Sequence, residues 1–272
     1  MPELPEVEIT RLGLMPLIDH KVSNVVIRNS SLRWPVNPSL DKILKGMPLI
    51  GLNRRGKYIL ANFPNGTLIM HLGMSGRICI VSEEKEIQKH DHVDIIFSNA
   101  KNIIMRFRDP RRFGSILWTE DNPLQHKLIK NMGPEPLLEE FNDTYLIGVL
   151  RNKKVCIKNA IMNSQTVVGV GNIYASEALF EAKIRPQRMS YKIKKNEISS
   201  LVNAIKQVIK KAIAMGGSTL NDFFDVDGKN GYFQEEHKVY GRRDMPCFYC
   251  KQLILQINLG QRSSFYCKNC QK

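Results

Sequence analysis

The sequence predicts an α+β fold: a β-rich first half, a helical middle and a small cysteine-bearing module at the end. Three observations predict it. Short β-type runs bounded by turn residues recur between Val22 and Trp118. Helical apolar periodicity takes over after a Gly133-Pro134-Glu135-Pro136 break. Two Cys-x-x-Cys pairs then close the chain.

The elements follow in order. Apolar residues from Glu6 to Ile18 recur at helical spacing and predict a leading helix. Strands are predicted at Val22–Arg28, Tyr58–Phe63, Thr67–Leu72, Arg77–Val81, His92–Phe97, Asn102–Arg106 and Ser115–Trp118. Asn65-Gly66 reads as a hairpin turn between two of them. Short strands at this spacing suit a sandwich or a barrel. Beyond the proline-rich break, which reads as an interdomain linker, helices are predicted at Asn142–Leu150, Asn172–Ala182 and Lys195–Met215. Asp143 is the expected N-cap of the first, and Gly216-Gly217 stops the third. The stretch from Asn221 to Tyr240 has no clean periodicity. Two short strands, Leu253–Ile257 and Ser264–Tyr266, lie between the cysteine pairs.

The chain has 272 residues, enough for two domains. It has no apolar run of the ~18 residues a membrane span needs, and acidic residues occupy the place of a signal peptide's basic region. This reads as a cytosolic protein. The net charge of +14 implies a polyanionic partner. Basic residues cluster at Arg54, Arg55 and Lys57, at Arg106, Arg108, Arg111 and Arg112, and at Arg151, Lys153, Lys154 and Lys158. Each cluster alone is a solvated face; converging in space, they would track a phosphate backbone.

Cys247, Cys250, Cys267 and Cys270 form C-x2-C-x16-C-x2-C, a spacing that delivers four thiolates to one tetrahedral Zn²⁺. Two disulfides are the other reading, which a cytosolic location disfavours. With no position left open, the metal would be structural. Gln261-Arg262 lies near the turn between the two strands, placed for a phosphate. Cys79 and Cys156 have no partner spacing and read as packing residues. Gly169-Val170-Gly171-Asn172 is not a dinucleotide fingerprint, because Tyr174 stands where the third glycine belongs. It reads as a tight turn into a helix, whose first amides and Asn172 suit a phosphate, or as a helix–turn–helix corner. Met74 and Phe113 sit on glycine-flanked loops, as core residues or as wedges for a base stack.

Pro2 is the remaining oddity. Once Met1 is removed, its nitrogen is a secondary amine able to attack an electrophilic carbon and settle as a cationic Schiff base. Glu3 and Glu6 stand close enough in sequence to supply a proton. Position alone also allows Pro2 to be only a residue that permits Met1 removal.

These features occur together and in order. The Met1-Pro2-Glu3-Leu4-Pro5-Glu6-Val7-Glu8 start, the Met74 and Arg111–Phe113 loops, the Val168–Ala175 turn and the four terminal cysteines closely resemble the bacterial formamidopyrimidine-DNA glycosylase family over nearly the whole chain. The resemblance implies a base-excision repair enzyme that removes oxidised purines, 8-oxoguanine and formamidopyrimidines, from damaged double-stranded DNA and nicks the strand by β,δ-elimination. It implies an N-terminal β-sandwich domain over residues 1–132 and a helix–two-turn–helix domain over 133–225. Residues 226–272 then hold the rest of a lesion loop and a zinc-finger hairpin.

By this resemblance Pro2 is the nucleophile at C1′, Glu3 the acid acting on the sugar and Glu6 a supporting carboxylate. Lys57 contacts a phosphate and donates a proton in β-elimination; Arg262 grips phosphates and serves δ-elimination. DNA contacts fall to His71, His90, Arg111, Lys153, Lys154 and Asn172. Met74, Arg111 and Phe113 fill the gap left by the extruded base, and the segment around Thr219 to Tyr240 closes on it. One structural Zn²⁺ is implied, with no catalytic metal or organic cofactor, acting as a monomer in the bacterial cytoplasm and on the nucleoid when bound to DNA. One departure stands out: Asn163-Ser164-Gln165 occupies a stretch where the family often has an acidic residue. The competing reading is a non-catalytic, zinc-stabilised DNA-binding protein on the same scaffold, which leaves the Pro2-Glu3 start unexplained.

Overall fold

The computed structural model of the chain describes residues 1–83, 85–98, 103–218 and 233–272. Two compact units divide it: Met1–Asn131 with Gly216–Tyr232, and Met132–Met215 with Phe233–Lys272.

The first unit opens with α1 (Leu4–Gly13). A proline near its start and Glu6 in its first turn suit a helix N-terminus, and Arg11 suits its end. The apolar spacing predicts a helix as far as Ile18. It stops at Gly13 because Pro16 lacks an N–H and its ring clashes with the carbonyl four residues back; a 3₁₀ turn, Met15–Leu17, replaces the last stretch.

Eight strands then build two antiparallel sheets. They are β1 (Lys21–Ile27), β2 (Gly51–Arg55), β3 (Tyr58–Phe63), β4 (Gly66–His71), β5 (Arg77–Ser82), β6 (Asp91–Ser98), β7 (Ile103–Arg108) and β8 (Ser115–Thr119), with a short helix α2 (Leu40–Leu44) after β1. One sheet runs β1-β6-β7-β5 and the other β2-β3-β4-β8. Alternate residues of the two, Ile59, Ala61 and Phe63 against Val93, Ile95 and Phe97 among them, share one hydrophobic core with Val7 and Leu14 of the α1 region. The expected sandwich is therefore the fold of this unit. Strand β2 escapes the sequence reading because Gly-Leu-Asn-Arg-Arg has little β propensity; pairing with β3 makes it a strand. Asn102 lies outside the described residues.

The β3–β4 turn is Pro64-Asn65 rather than Asn65-Gly66, since Gly66 already pairs with Phe63. A Cβ at Gly66 would fall 2.4 Å from the Thr119 carbonyl oxygen and 2.6 Å from the Trp118 ring, so glycine serves the close approach to β8, not the turn. The face of the first sheet opposite the core carries charges in register. Asp94 faces Arg106, which grips it with two hydrogen bonds of 2.9 Å, and Asp91 faces Arg108. Burial alone would raise the Asp91 carboxyl; Arg108 and Arg106 hold it below the usual range.

In the second unit, α3 (Asp143–Leu150), α4 (Ile157–Met162), α5 (Asn172–Glu181) and α6 (Lys195–Ala214) precede the hairpin β9 (Leu255–Leu259) and β10 (Arg262–Tyr266). The cap of α3 is Asn142, whose Oδ1 accepts the Tyr145 N–H at 2.9 Å; the expected cap, Asp143, is the first helical residue and bonds to Ser199. In α6 the buried residues Ile198, Leu201, Val202, Ile205, Val208, Ile209 and Ala212 form one stripe. Strand β9 sits two residues later than predicted, because Gly260-Gln261 makes the turn and pairs Leu259 with Arg262. No helix of the described residues is long and apolar enough to cross a membrane.

Phe97 is 0 % exposed in the centre of the sandwich. Phe97→Ala is expected to lower unfolding free energy by about 3–5 kcal/mol, read from the midpoint and slope of urea denaturation.

Candidate functional site

The first unit holds the residues at the start of the chain and the two glycine-flanked loops. Glu3 is the N-cap of α1, and its N–H donates to Glu6 Oε2 at 2.8 Å. The other oxygen of Glu6 accepts the Ser218 N–H at 2.8 Å. Pro2, Glu3 and Glu6 are all buried. The turn leading to Ser218 uses Gly216 and Gly217, with φ of 77° and 81°. A Cβ on Gly217 would come 3.0 Å from Glu6 Oε1, so both the backbone and the close approach favour glycine there.

Lys57 sits with Gly56 in the tight turn joining β2 to β3. That hairpin is tied to α1 through Glu8, which binds Arg54 at 2.8 Å and Arg11 at 2.6 Å. Burial would raise the Glu8 carboxyl, yet the two guanidiniums bring it below its ordinary value. His71 ends β4, directly across from Tyr58, and their rings lie 4.7 Å apart. Burial, helped by the nearby charges of Lys57 and Arg33, pushes the His71 imidazole down to about 4. It is therefore neutral near pH 7, and its Nδ1 accepts the Gly73 N–H at 2.9 Å.

The Met74 and Arg111–Phe113 loops, 35 or more residues apart in sequence, meet backbone to backbone. Phe113 is 45 % exposed, and the Arg111 guanidinium lies 4.9 Å from its ring centre. Met74 is half-buried beside them. His90 is half-buried, and its carbonyl accepts the Asp109 N–H at 3.1 Å.

The second unit places the other basic residues. Lys153 donates to Thr166 Oγ1 at 2.7 Å, and Lys154 beside it is exposed. Thr166 belongs to the turn that leads to Gly169, whose φ of 80° suits glycine, and on to Asn172 at the first turn of α5. Asn172 Oδ1 is buried with no hydrogen-bond partner among the described residues. In the departing stretch, Asn163 Oδ1 accepts the Gln165 N–H at 2.9 Å in a local turn. Arg262 is exposed at the start of β10.

Cys247, Cys250, Cys267 and Cys270 bring their sulfurs within 4.8 Å of one another. Four sulfurs at ~2.3 Å from a central Zn²⁺ would be ~3.8 Å apart. The Cys247–Cys270 and Cys250–Cys267 pairs stand at 3.8 and 3.4 Å, so the set fits a tetrahedral ion.

Sequence reasoning missed three buried charges that hold these parts in place. Lys158, read as one of a basic cluster, is 0 % exposed; its ammonium donates to the Ser263 carbonyl at 3.0 Å and to Ser264 Oγ at 2.8 Å, tying α4 to the hairpin. Glu177 accepts the N–H groups of Lys238, Val239 and Tyr240, and burial raises its carboxyl above the ordinary range. Asp109 lies at the crossing of the two exposed loops. None carries a local signal, because each has a partner distant in sequence. Residues 219–232, most of the expected closing loop, fall outside the described residues.

Known proteins share the fold of this chain. Residues 1–116 match the family model for the formamidopyrimidine-DNA glycosylase N-terminal domain, and residues 132–224 the model for the formamidopyrimidine-DNA glycosylase H2TH domain. The chain is 49 % identical over 272 residues to a protein of Methylobacillus flagellatus named formamidopyrimidine-DNA glycosylase, covering 100 % of this chain and 97 % of that one. It is likewise 49 % identical over 277 residues to the protein of that name from Neisseria meningitidis, covering both chains completely. Among solved structures, the MutM (Fpg) protein from Thermus thermophilus is similar with a TM-score of 0.88 at 32 % identity, over 99 % of this chain and 98 % of that one. A Lactococcus lactis Fpg mutant in complex with Fapy-dG containing DNA superposes with a TM-score of 0.92 at 31 % identity over 100 % of both chains.

The depressed His71 has a consequence for acid stability. Between pH ~6.5 and ~4 the unfolded chain takes up a proton that the folded site refuses, so stability falls as pH drops through that window and is flat above it. The His71 share is up to roughly 3 kcal/mol. Urea melts at about pH 7 and 4.5 should show this loss, and His71→Gln, which keeps an acceptor for Gly73, should reduce it.

Proposed function

The chain belongs to the formamidopyrimidine-DNA glycosylase family, and from that membership we propose that it excises oxidised purines from duplex DNA through a Schiff base at Pro2 and then cleaves the strand. The observation that carries this reading is the buried start of the chain. Pro2 adjoins the N-cap of α1, and Glu3 and Glu6 are locked beside it by a 2.8 Å hydrogen bond.

With Met1 removed, the Pro2 nitrogen attacks C1′ of the damaged nucleotide, and the bond from C1′ to the base nitrogen breaks. The departing base takes a proton, and loss of the amine proton leaves a neutral aminal, whose nitrogen lone pair then breaks the bond from C1′ to the ring oxygen and forms the iminium. Glu3 protonates the sugar ring oxygen as the ring opens. The iminium acidifies C2′; removal of that proton expels the 3′ phosphate, with Lys57 as proton donor. A second elimination expels the 5′ phosphate, with Arg262 holding the phosphates. Extrusion of the base costs a few kcal/mol, which insertion of Met74 and Phe113 into the stack offsets while Arg111 bonds the base left behind. His71, His90, Lys153, Lys154 and Asn172 contact the DNA. The four cysteines hold one structural Zn²⁺, and the protein acts as a cytoplasmic monomer.

Borohydride trapping on duplex DNA containing 8-oxoguanine tests the chemistry. A covalent adduct is expected with the Met1-processed protein and none when Met1 is retained. Glu3→Gln should slow excision at least ~10²-fold. No adduct with processed, metal-loaded protein would leave a DNA-binding protein without catalysis. Native mass spectrometry should find one zinc per chain, and a strong chelator should remove it with a fall in melting temperature. A zinc-free chain of equal stability would refute the metal assignment.

A further inference from the structure

We propose that Asp109 is a positioning residue that locks the Met74 and Arg111–Phe113 loops into one platform and so sets how the base opposite the lesion is read. This rests on the excision of damaged bases from duplex DNA put forward above. Asp109 is 0 % exposed, a costly place for a carboxylate unless its oxygens are fully used. They are shared between the two loops. Oδ1 accepts the Ser75 hydroxyl at 2.7 Å and the Arg111 N–H at 3.2 Å; Oδ2 accepts the Gly114 N–H at 2.7 Å. Ser75 Oγ in turn accepts the Arg111 N–H at 3.2 Å.

Ser75 follows Met74 directly, while Arg111 and Gly114 bracket Phe113. A single carboxylate therefore fixes the offset between a side chain on one loop and two on the other. Two further features tighten the joint. A Cβ at Gly73 would fall 2.4 Å from Gly114 N and Phe113 C, so the loop backbones are already in contact. Arg112 holds a φ of 56°, which a non-glycine residue keeps only where its surroundings impose it, and its N–H bonds the Asp109 carbonyl at 3.2 Å. The same carbonyl accepts from His92 Nε2 at 2.8 Å. The side chains of Met74, Arg111 and Phe113 thus stand on a support with few free motions. Reading an unpaired base edge needs such a support, because hydrogen-bond recognition fails with shifts of about 1 Å.

Asp109→Asn keeps the shape and volume but replaces one acceptor with a donor aimed at an N–H or hydroxyl donor. Ser75→Ala cuts the hydroxyl link between the loops and leaves the carboxylate on Arg111 and Gly114. The measurement is kcat/KM on duplexes with 8-oxoguanine opposite cytosine and opposite adenine. It is paired with borohydride trapping at an abasic site facing a one-nucleotide gap, where there is no base to read. The ratio between opposite bases should fall about tenfold in Asp109→Asn and about threefold in Ser75→Ala. Trapping opposite the gap should stay within about twofold, as expected for a residue that acts only through base reading. Unchanged ratios in both variants overturn the inference. So do equal losses on both substrates, which would make Asp109 a residue of the fold alone. A wild-type chain that excises 8-oxoguanine from neither duplex overturns the proposed function itself, and this inference with it.

Discussion

The Glu6 carboxylate is the joint on which the first unit depends. It is 2 % exposed, and each oxygen accepts a backbone N–H at 2.8 Å, one from Glu3 and one from Ser218. Both bonds matter because an N–H left without a partner in a dry site is expensive. The same group therefore sets the start of α1 and ends the turn that begins at Gly216. Gly217 suits this position because a side chain there would crowd this carboxylate while holding a left-handed backbone.

The strands were legible where local chemistry agrees with tertiary packing. Tyr58–Phe63 begins and ends where its residue types say it should, and Lys195 to Ala214 shows its buried stripe in the sequence. Legibility failed where pairing overrides propensity, as in β2, or where one residue has two uses. Gly66 signals a turn, but its missing side chain admits β8. Asn142 and Asp143 are both good caps, and only the bond to Tyr145 N–H picks one. Apolar spacing continues past Pro16, yet the ring of that proline decides where α1 can end.

The site divided along the same line. The four cysteines, a short motif with chemistry of its own, could be read from spacing and residue type, and the fold brings their sulfurs together. Their supports could not. Lys158, Glu177 and Asp109 are charged residues that composition assigns to the surface, yet all three are buried with partners dozens of residues away. A sequence shows that a charge exists; it does not show that a distant hydroxyl or a row of amides has been folded onto it. Basic composition also overcounts phosphate contacts, since Arg106 and Arg108 are spent on Asp94 and Asp91.

Lys158 gives the cysteine module an influence beyond its size. Two acceptors of its buried ammonium, the Ser263 carbonyl and the Ser264 hydroxyl, belong to β10, three to four residues before Cys267. A hairpin ordered by a metal ion presents both acceptors; a hairpin released from it withdraws them and leaves the ammonium less well solvated inside α4. Metal affinity and the cohesion of the helical unit are then two sides of one thermodynamic linkage. With an ion on the four cysteines, the helices would tighten the grip on it, and it would contribute to the stability of helices it does not touch.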